Sequence, residues 1–303
     1  MKIRVGFGFG TIAGAGFDGE TFWKIVDTLE ELGWDSLWLS ERVGGDLFDP
    51  LAGMAALAGR TRKLKFGPSV LVLPGRNPVL LAKELATIDV LSGGRLVAAF
   101  GLGVEDPREH ALFGVPRDEA PGRTEEAVLL MKRLWSEERV THEGRYFQVA
   151  DVTVGPRPVQ RPHPDVWFGG HSKAALRRVG ELGEGWLPSF VMPGRYRAMA
   201  DTIREIAARR ERRIDEEHYG ALVAYFPEGA RNVDAVTALL ASRRPALDPD
   251  AVVRGGDDAI RERLEEFAAE GASKFVLVPL DQPRDWQEEL ARLRETVVRP
   301  LEN

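Results

Sequence analysis

An acidic and a basic residue stand together at the end of one apolar run of this chain. Glu41 and Arg42 follow the run 36–39, which predicts a short buried strand. Side chains at the carboxyl end of a parallel strand lie where barrel enzymes keep their functional groups, so this pair could bind a ligand or polarise a substrate. A solvated ion pair between the two side chains explains them equally well, and both interpretations stay open here.

A glycine-rich turn is the second candidate site. The apolar run 166–168 is followed by Gly169, Gly170, His171 and Ser172. The two glycines would let a ligand approach the backbone closely, and Ser172 is placed to cap the next helix, whose free amides could accept a phosphate. A plain tight turn is the alternative interpretation.

Two other positions indicate a need for space or for irregular geometry. Pro68 lies inside the apolar run 66–73, an unusual place for proline in a central strand, so a bulge is expected beside it, with a simple edge kink as the alternative. Gly101 and Gly103 follow the run 96–100. By themselves these two glycines indicate only that another group must pass close to the chain there.

A glycine cluster near the start of the chain raises a rival interpretation. Gly8, Gly10 and Ala13 match the G-x-G-x-x-A pattern of dinucleotide-binding folds, and Glu41 lies where a ribose-binding acid would follow. However, the residues 14–19 are rich in glycine and predict a loop instead of the helix N-terminus that a pyrophosphate needs. The pattern therefore favours a dinucleotide fold less than a barrel.

Composition narrows the function classes. A hydrophobic share of 44%, a charged share of 29% and a net charge of -6 are typical of a globular enzyme and indicate no nucleic-acid partner. The chain has no cysteine, no signal-peptide pattern and no apolar span long enough for a membrane, so a cytoplasmic location is expected. No metal spacing, serine-hydrolase elbow or phosphate-binding P-loop is present, and we expect a small-molecule substrate and no metal.

Apolar runs alternate with amphipathic stretches along the whole chain, which predicts the α/β class with a parallel sheet. The predicted strands are 3–9, 36–39, 66–73, 96–100, 166–168, 186–187, 221–226 and 275–278. The main predicted helices are 19–32, 50–59, 78–92, 123–135, 195–213, 257–270 and 285–298. Eight strands with helices between them fit a (β/α)8 TIM barrel better than an open sheet.

No linker or internal repeat divides the chain, so residues 1–303 are predicted to form a single domain. Two segments do not fit the repeating unit. The first, at about 138–164, contains a predicted hairpin turn at 142–145 and then a proline-rich stretch before the fifth strand. The second, at about 227–254, is predicted to be a helical insertion after the seventh strand.

Several motifs closely resemble the luciferase-like monooxygenase superfamily. The most specific is the stretch 67–78, GPSVLVLPGRNP, continued by LATIDVLSGGR at 85–95. Support extends through the segments 100–103, 133–135, 155–160, 167–172 and 185–188. The resemblance therefore covers nearly the whole chain.

The resemblance implies a TIM barrel that holds a flavin-type ring at the carboxyl mouth of its strands. It implies a cis peptide bond between Ser69 and Val70 that supports the ring, and a cofactor phosphate at the Gly169-Gly170 turn. The residues expected to line the cofactor are Glu41, Ser69, Val70, Gly101, Gly103, Gly169, Gly170, His171 and Ser172. Those expected to be catalytic are Glu41, Arg42 and Glu105.

Within the superfamily the chain is more similar to the branch that uses the deazaflavin coenzyme F420, while FMN is the alternative cofactor. Many members of that branch have a histidine after the acid that ends the second strand, and Arg42 stands in its place. An arginine cannot act as a neutral base at pH 7. We therefore expect reduction of an activated double bond, carbonyl or imine instead of simple alcohol oxidation.

Two alternatives remain beside hydride transfer by F420. One is an FMN-dependent monooxygenase that uses reduced flavin and oxygen, and the other is a flavin-binding barrel without catalytic activity. The resemblance also implies a homodimer formed through the helices that follow the second and third strands.

Overall fold

The structure, a computed structural model, describes residues 2–10, 17–104 and 106–302. Its strands are Arg4–Phe9 (β1), Ser36–Leu39 (β2), Lys65–Pro68 (β3), Leu71–Val72 (β4), Ala98–Gly101 (β5), Val140–Glu143 (β6), Gln148–Val152 (β7), Val166–Phe168 (β8), Gly185–Trp186 (β9), Gly220–Tyr225 (β10), Val252–Val253 (β11) and Lys274–Pro279 (β12).

The α-helices are Gly19–Glu31 (α1), Pro50–Arg60 (α2), Pro78–Ser92 (α3), Pro107–Phe113 (α4), Ala120–Ser136 (α5), Lys173–Leu182 (α6), Pro193–Arg209 (α7), Val233–Arg243 (α8), Gly256–Ala269 (α9), Trp286–Leu293 (α10) and Arg299–Leu301 (α11). Short 3-10 turns occupy Glu216–His218 and Pro249–Ala251, and a π-helical turn occupies Arg294–Val298.

The helix boundaries follow from local capping. Asn77 accepts hydrogen bonds from the amides of Val79 (2.9 Å) and Leu80 (3.2 Å), and Pro78 occupies the first helical position, where its missing N–H costs nothing. Gly93 ends α3 in the left-handed conformation, with φ at 69°. These boundaries confirm the prediction made from the residue types.

The long strands run parallel, which confirms the α/β class. One sheet has the order β11-β10-β12-β1-β2-β3, and a second has the order β4-β5-β8-β9. Parallel bridges between Phe66 and Leu96, and between Trp186 and Tyr219, connect strands of the two sheets. Helices follow the strands, so the carboxyl ends of neighbouring strands share one edge.

The core has two main parts. The larger packs side chains of the strands against those of the helices. The smaller consists of side chains from both sheets, namely Trp38, Ala99, Trp167, Leu187, Val276 and Val278. Trp38 in this group is fully buried, and its Nε1 donates to Ser36 Oγ at 2.9 Å. Large apolar side chains thus fill the space between the two sheets.

Gly8 of β1 and Gly10, which follows β1, serve this packing. A Cβ at Gly8 would lie 2.9 Å from Val276 Cγ1, and one at Gly10 would lie 2.7 Å from Val278 Cγ1. Neighbouring side chains therefore occupy the space that a nucleotide phosphate would need beside the G-x-G pattern. Ala13, the last residue of that pattern, lies outside the described residues.

The structure differs from the sequence predictions in several places. The predicted strand 66–73 is divided into β3 and β4. The helix α4 was missed, because its seven residues form only two turns and carry no continuous apolar stripe. The segment predicted as a helical insertion contains α8 and also the short strand β11, which pairs with β10.

The predicted hairpin is present, but its turn lies later than expected. Strands β6 and β7 pair antiparallel, and Gly144 N donates to Phe147 O at 3.0 Å. The reason is Glu126 of α5, which accepts from the amides of Tyr146 (3.1 Å) and Phe147 (2.8 Å). Across the described residues, no helix is long and apolar enough to cross a bilayer.

Candidate active site

An irregular backbone at the carboxyl edge of the sheet organises the site. The peptide bond between Ser69 and Val70 is cis, which confirms the expectation from the family resemblance. The bond lies between β3 and β4, and it accounts for the division of the predicted strand. Ser69 N donates to Leu39 O at 2.7 Å, which fixes this segment to the end of β2.

Three predicted site glycines pack around this segment. A Cβ at Gly101 would lie well inside 3.0 Å of Val70 Cγ2, and one at Gly169 would lie 3.3 Å from Val70 Cγ1. A Cβ at Gly103 would lie 3.3 Å from Val72 Cγ1. The structure therefore brings Val70, Gly101 and Gly169 together. The side chains of Val70 and Val72 occupy the space that these glycines leave.

The Ser69 hydroxyl gives an observation that fits a polar ligand. Its Oγ is buried, and it has no hydrogen-bond partner within the described part of the chain. A buried hydroxyl without a partner is unfavourable, so a bound group with a donor or acceptor would stabilise this position. Ser69 at the cis bond thus fits a cofactor that presents a polar atom to its hydroxyl.

Glu41 is held on both carboxylate oxygens. Its Oε2 accepts from Val72 N at 2.5 Å, its Oε1 forms an ion pair with Arg76, and its side chain is only 3% exposed. Burial raises the pKa of Glu41 above the ordinary value, while the Val72 amide and Arg76 limit the rise. Glu41 therefore fastens the end of β2 to β4. Arg76 was not singled out from the sequence.

Arg42 points to a different partner. Its Nε lies 3.5 Å from Glu109 Oε2, and the other oxygen of Glu109 accepts from Val43 N at 2.6 Å. Glu109 belongs to α4, and its side chain is only 7% exposed. The simple ion pair between Glu41 and Arg42 is therefore wrong, because each residue pairs with a group distant in sequence. Glu105, the other predicted catalytic acid, lies outside the described residues.

The turn after β8 is fixed by a left-handed glycine, a hydrogen bond to its carbonyl and a helix cap. Gly170 adopts φ of 85°, and its carbonyl accepts from Trp186 Nε1 at 2.8 Å. Ser172 caps α6 by accepting from Ala175 N at 3.2 Å. Desolvation, together with the positive charges of Arg195 and Arg244, lowers the pKa of His171. Two arginines therefore lie near this turn, and the His171 ring is kept in its neutral form at pH 7.

The cis bond between Ser69 and Val70 is the feature expected from the family resemblance. Comparison with known families agrees with that resemblance. A family model described as luciferase-like monooxygenase matches residues 7–277. The chain belongs to the luciferase-like monooxygenase family. The resemblance identified from the motifs is therefore confirmed.

The curated relatives are named as oxidoreductases with two kinds of cofactor. An F420-dependent glucose-6-phosphate dehydrogenase of Microbacterium testaceum is 34% identical over 168 residues, covering 52% of this chain and 49% of that protein. An FMNH(2)-dependent dimethylsulfone monooxygenase of Pseudomonas putida is 30% identical over 200 residues, covering 65% and 53%. The chain thus spans about half the length of the curated relatives it matches.

Solved structures agree on the fold. An F420-dependent secondary alcohol dehydrogenase, in complex with an F420-acetone adduct, superposes with a TM-score of 0.83 at 19% identity and covers 100% of both chains. A monooxygenase from Streptomyces bottropensis gives 0.81 at 24% identity, covering 98% of this chain and 99% of that one. At these identities the likeness is evidence for the fold alone.

Proposed function

We propose that this chain is an oxidoreductase that uses coenzyme F420 to transfer hydride to or from a small organic molecule. The observation that carries the proposal is the site at the cis bond, where Val70 packs against Gly101 and Gly169 beside the unpartnered hydroxyl of Ser69. The F420-dependent relatives support the choice of cofactor.

The proposal includes one closed barrel formed by residues 1–303. The bridges Phe66–Leu96 and Trp186–Tyr219 support closure, and so does the small core that draws side chains from both sheets. In this arrangement the barrel has eight strands, because β3 and β4 count as one. They are β1, β2, β3–β4, β5, β8, β9, β10 and β12. The segments 138–164 and 227–254 are then insertions at its surface.

The cofactor would lie across the carboxyl mouth of this barrel. Ser69, Val70, Gly101 and Gly103 would face the ring. The phosphate would be bound by the turn Gly169-Gly170-His171-Ser172, where capping geometry and positive charge both favour an anion. A bound deazaflavin supplies a ring carbon that donates or accepts a hydride.

Glu41 and Arg42 would have separate tasks at the mouth. Both carboxylate oxygens of Glu41 accept hydrogen bonds within the protein, so Glu41 would hold the cis segment in place and line the cofactor site beside β4. Arg42, held by Glu109, would face the substrate and stabilise negative charge that develops on an acceptor oxygen or nitrogen. Glu105 is kept as the second proposed catalytic residue. A guanidinium cannot take a proton from an alcohol at pH 7, which favours the reductive direction.

Reduced FMN with oxygen is the second candidate chemistry. The observation that favours it is the Pseudomonas putida relative, which covers a larger part of this chain than the F420-dependent relatives do. A barrel that binds a flavin without turnover is the third candidate. Turnover of any pair of electron donor and acceptor by the purified protein would exclude it.

A homodimer through α2 and α3 belongs to the same proposal. Leu80 and Leu91 of α3 are 60% and 63% exposed, and they lie on one side of the helix. The neighbouring α2 exposes the small residues Ala52, Ala55 and Ala56. Exposed apolar side chains of this kind on two neighbouring helices suit packing against a second copy.

Separate titrations of the protein with F420 and with FMN test the cofactor assignment. We expect saturable binding of F420, followed by the change in cofactor fluorescence, and clearly weaker binding of FMN. Tight binding of FMN with none of F420 would overturn the assignment and favour the monooxygenase.

A further inference from the structure

The strand β4 is held on one of its two sides by a side chain. It is the edge strand of the sheet β4-β5-β8-β9, and it pairs with β5. On the β5 side, Leu73 N donates to Gly101 O at 3.2 Å. On the opposite side, Val72 N donates to Glu41 Oε2 at 2.5 Å. A carboxylate oxygen thus takes the place that a backbone carbonyl of the next strand would occupy.

Arg76 closes a ring of contacts around Val72. Its guanidinium forms an ion pair with Glu41 Oε1, and its Nε donates to Val72 O at 3.2 Å. Both polar groups of the Val72 backbone are therefore bound to the two members of one ion pair. The Glu41 side chain is 3% exposed and that of Arg76 is 21% exposed, so the buried member of the pair is the carboxylate.

The turn that carries Arg76 is fixed without its guanidinium. Arg76 N donates to Leu73 O at 3.0 Å, and Asn77 caps the following helix α3 with its own side chain. These bonds use backbone groups and the Asn77 side chain. The side chain of Arg76 therefore remains for Glu41 and Val72.

The charge of Glu41 depends on this arginine. Burial is the largest cause that raises the pKa of Glu41, and Asp49 before α2 adds to the rise, while the Val72 amide and Arg76 act against it. Arg42, the next residue, pairs with an acid of α4 instead. A buried carboxylate that loses its cation favours the protonated form.

We propose that Arg76 is a positioning residue of the cofactor site: by pairing with Glu41 it holds β4, and with it the wall of Val70 and Val72 against which the cofactor lies. The inference rests on the proposed function, because it takes the cofactor to lie at Val70. It gives the guanidinium a role in binding that is exerted through Glu41.

Melting temperatures of the protein without added cofactor test the pairing by itself. They are measured at pH 8 and pH 5 for the wild type, Arg76→Gln, Glu41→Gln and the double variant, with Arg76→Lys as the conservative replacement. Arg299→Gln is the matched control, because both members of its ion pair with Glu295 are exposed. Dissociation constants of F420 and of FMN are measured for the same proteins at both pH values.

The loss of stability should depend on pH. Arg76→Gln leaves an ionised, buried Glu41 without its cation at pH 8, so the melting temperature should fall by about 5–10 °C. At pH 5 the carboxyl takes up a proton and needs no cation, so the fall should be less than half as large. Adding Glu41→Gln should reduce the fall at pH 8, and Arg76→Lys should recover most of it. Arg299→Gln should melt within about 1 °C of the wild type at both pH values.

Cofactor affinity should follow the same pattern. At pH 8 an unpaired Glu41 carboxylate turns to water and releases Val72 N, so Arg76→Gln should bind F420 about tenfold more weakly than the wild type. At pH 5 the protonated acid still accepts from Val72 N, and the loss should be about threefold or less. Comparison with the wild type at each pH removes the effect of ionisation of the cofactor itself. Arg299→Gln should bind F420 as the wild type does.

The inference would be overturned if Arg76→Gln lost the same stability at pH 8 and pH 5, or if Glu41→Gln gave no relief, because Arg76 would then act by packing alone. It would also be overturned if the stability behaved as expected while F420 affinity stayed at the wild-type value. In both cases binding of F420 by the wild type leaves the proposed function standing. Tight binding of FMN by the wild type, with none of F420, would overturn the proposed function itself, and the melting and FMN series would still decide the role of Arg76.

Discussion

The substitution Gly101→Ala is the sharpest test of how the site is built. The added Cβ would lie well inside 3.0 Å of Val70 Cγ2, a separation that real Cβ atoms almost never show. Val70 is β-branched and has little rotamer freedom, so the valine or the backbone of β5 must move. Overpacking of this kind costs about 1–3 kcal/mol.

The expected result has two parts. The free energy of unfolding should fall by about 1–3 kcal/mol, and F420 affinity should fall about tenfold or more, because the displaced valine lies where the ring is proposed to rest. Urea denaturation measures the first quantity and cofactor fluorescence titration measures the second. Gly19→Ala is the control, because no heavy atom lies within 4 Å of its added Cβ, and it should leave F420 affinity unchanged.

A double-mutant cycle decides whether Val70 is the cause. Val70→Ala removes the clashing methyl groups, so the variant with both alanines should be more stable than the sum of the two single effects by about 1 kcal/mol or more. Additive effects would refute the reasoning. They would show that Gly101 is needed for a reason other than its contact with Val70.

Three further predictions concern other parts of the molecule. Burial acts to raise the pKa of Glu126, but hydrogen bonds from the amides of Phe147 and Tyr146 and from the side chain of His142 hold it below its ordinary value. The stabilisation that the Glu126 carboxylate gives the fold is present above the ordinary pKa and is lost as pH falls through the folded pKa. Glu126→Gln should therefore cost about 1–2 kcal/mol at pH 7 and much less at pH 3 in urea denaturation, and an equal cost at both pH values would contradict this. Glu109→Ala leaves the Val43 amide and the Arg42 guanidinium without their partner, so the free energy of unfolding should fall by about 2–3 kcal/mol. F420 affinity should stay within twofold, and a large loss of affinity would mean that α4 touches the cofactor. Leu91→Glu places a charge on the proposed dimer face, and sedimentation should detect a monomer where the wild type is a dimer, while a variant that remains dimeric would place the interface elsewhere.

Local residue patterns predicted much of the fold. The strands Ser36–Leu39 and Val166–Phe168 have the predicted bounds, because short apolar runs are bordered there by polar or glycine residues. The starts of α3 and α6 follow from Asn77 and Ser172, whose side chains satisfy helix amides locally. Interactions within a few residues are visible in the sequence, and these predictions used only such interactions.

The partners of the site residues could not be predicted in the same way. Glu41 pairs with Arg76, and Arg42 pairs with Glu109, across 35 and 67 residues of sequence. Such pairs depend on how neighbouring strands and the short α4 come together, which no local pattern encodes. The cis bond at Ser69 came from the family resemblance, since Pro68 alone predicts only irregular geometry.

The central claim is that F420 lies across the cis segment with its phosphate at the glycine turn. A crystal structure of the protein with F420 bound tests this claim most directly. The account predicts the deazaflavin ring against Val70, with Ser69 Oγ in a hydrogen bond to the cofactor and the phosphate within hydrogen-bond distance of the Gly170 to Ser172 amides. A ring bound away from Val70, or a phosphate held at another loop, would contradict it.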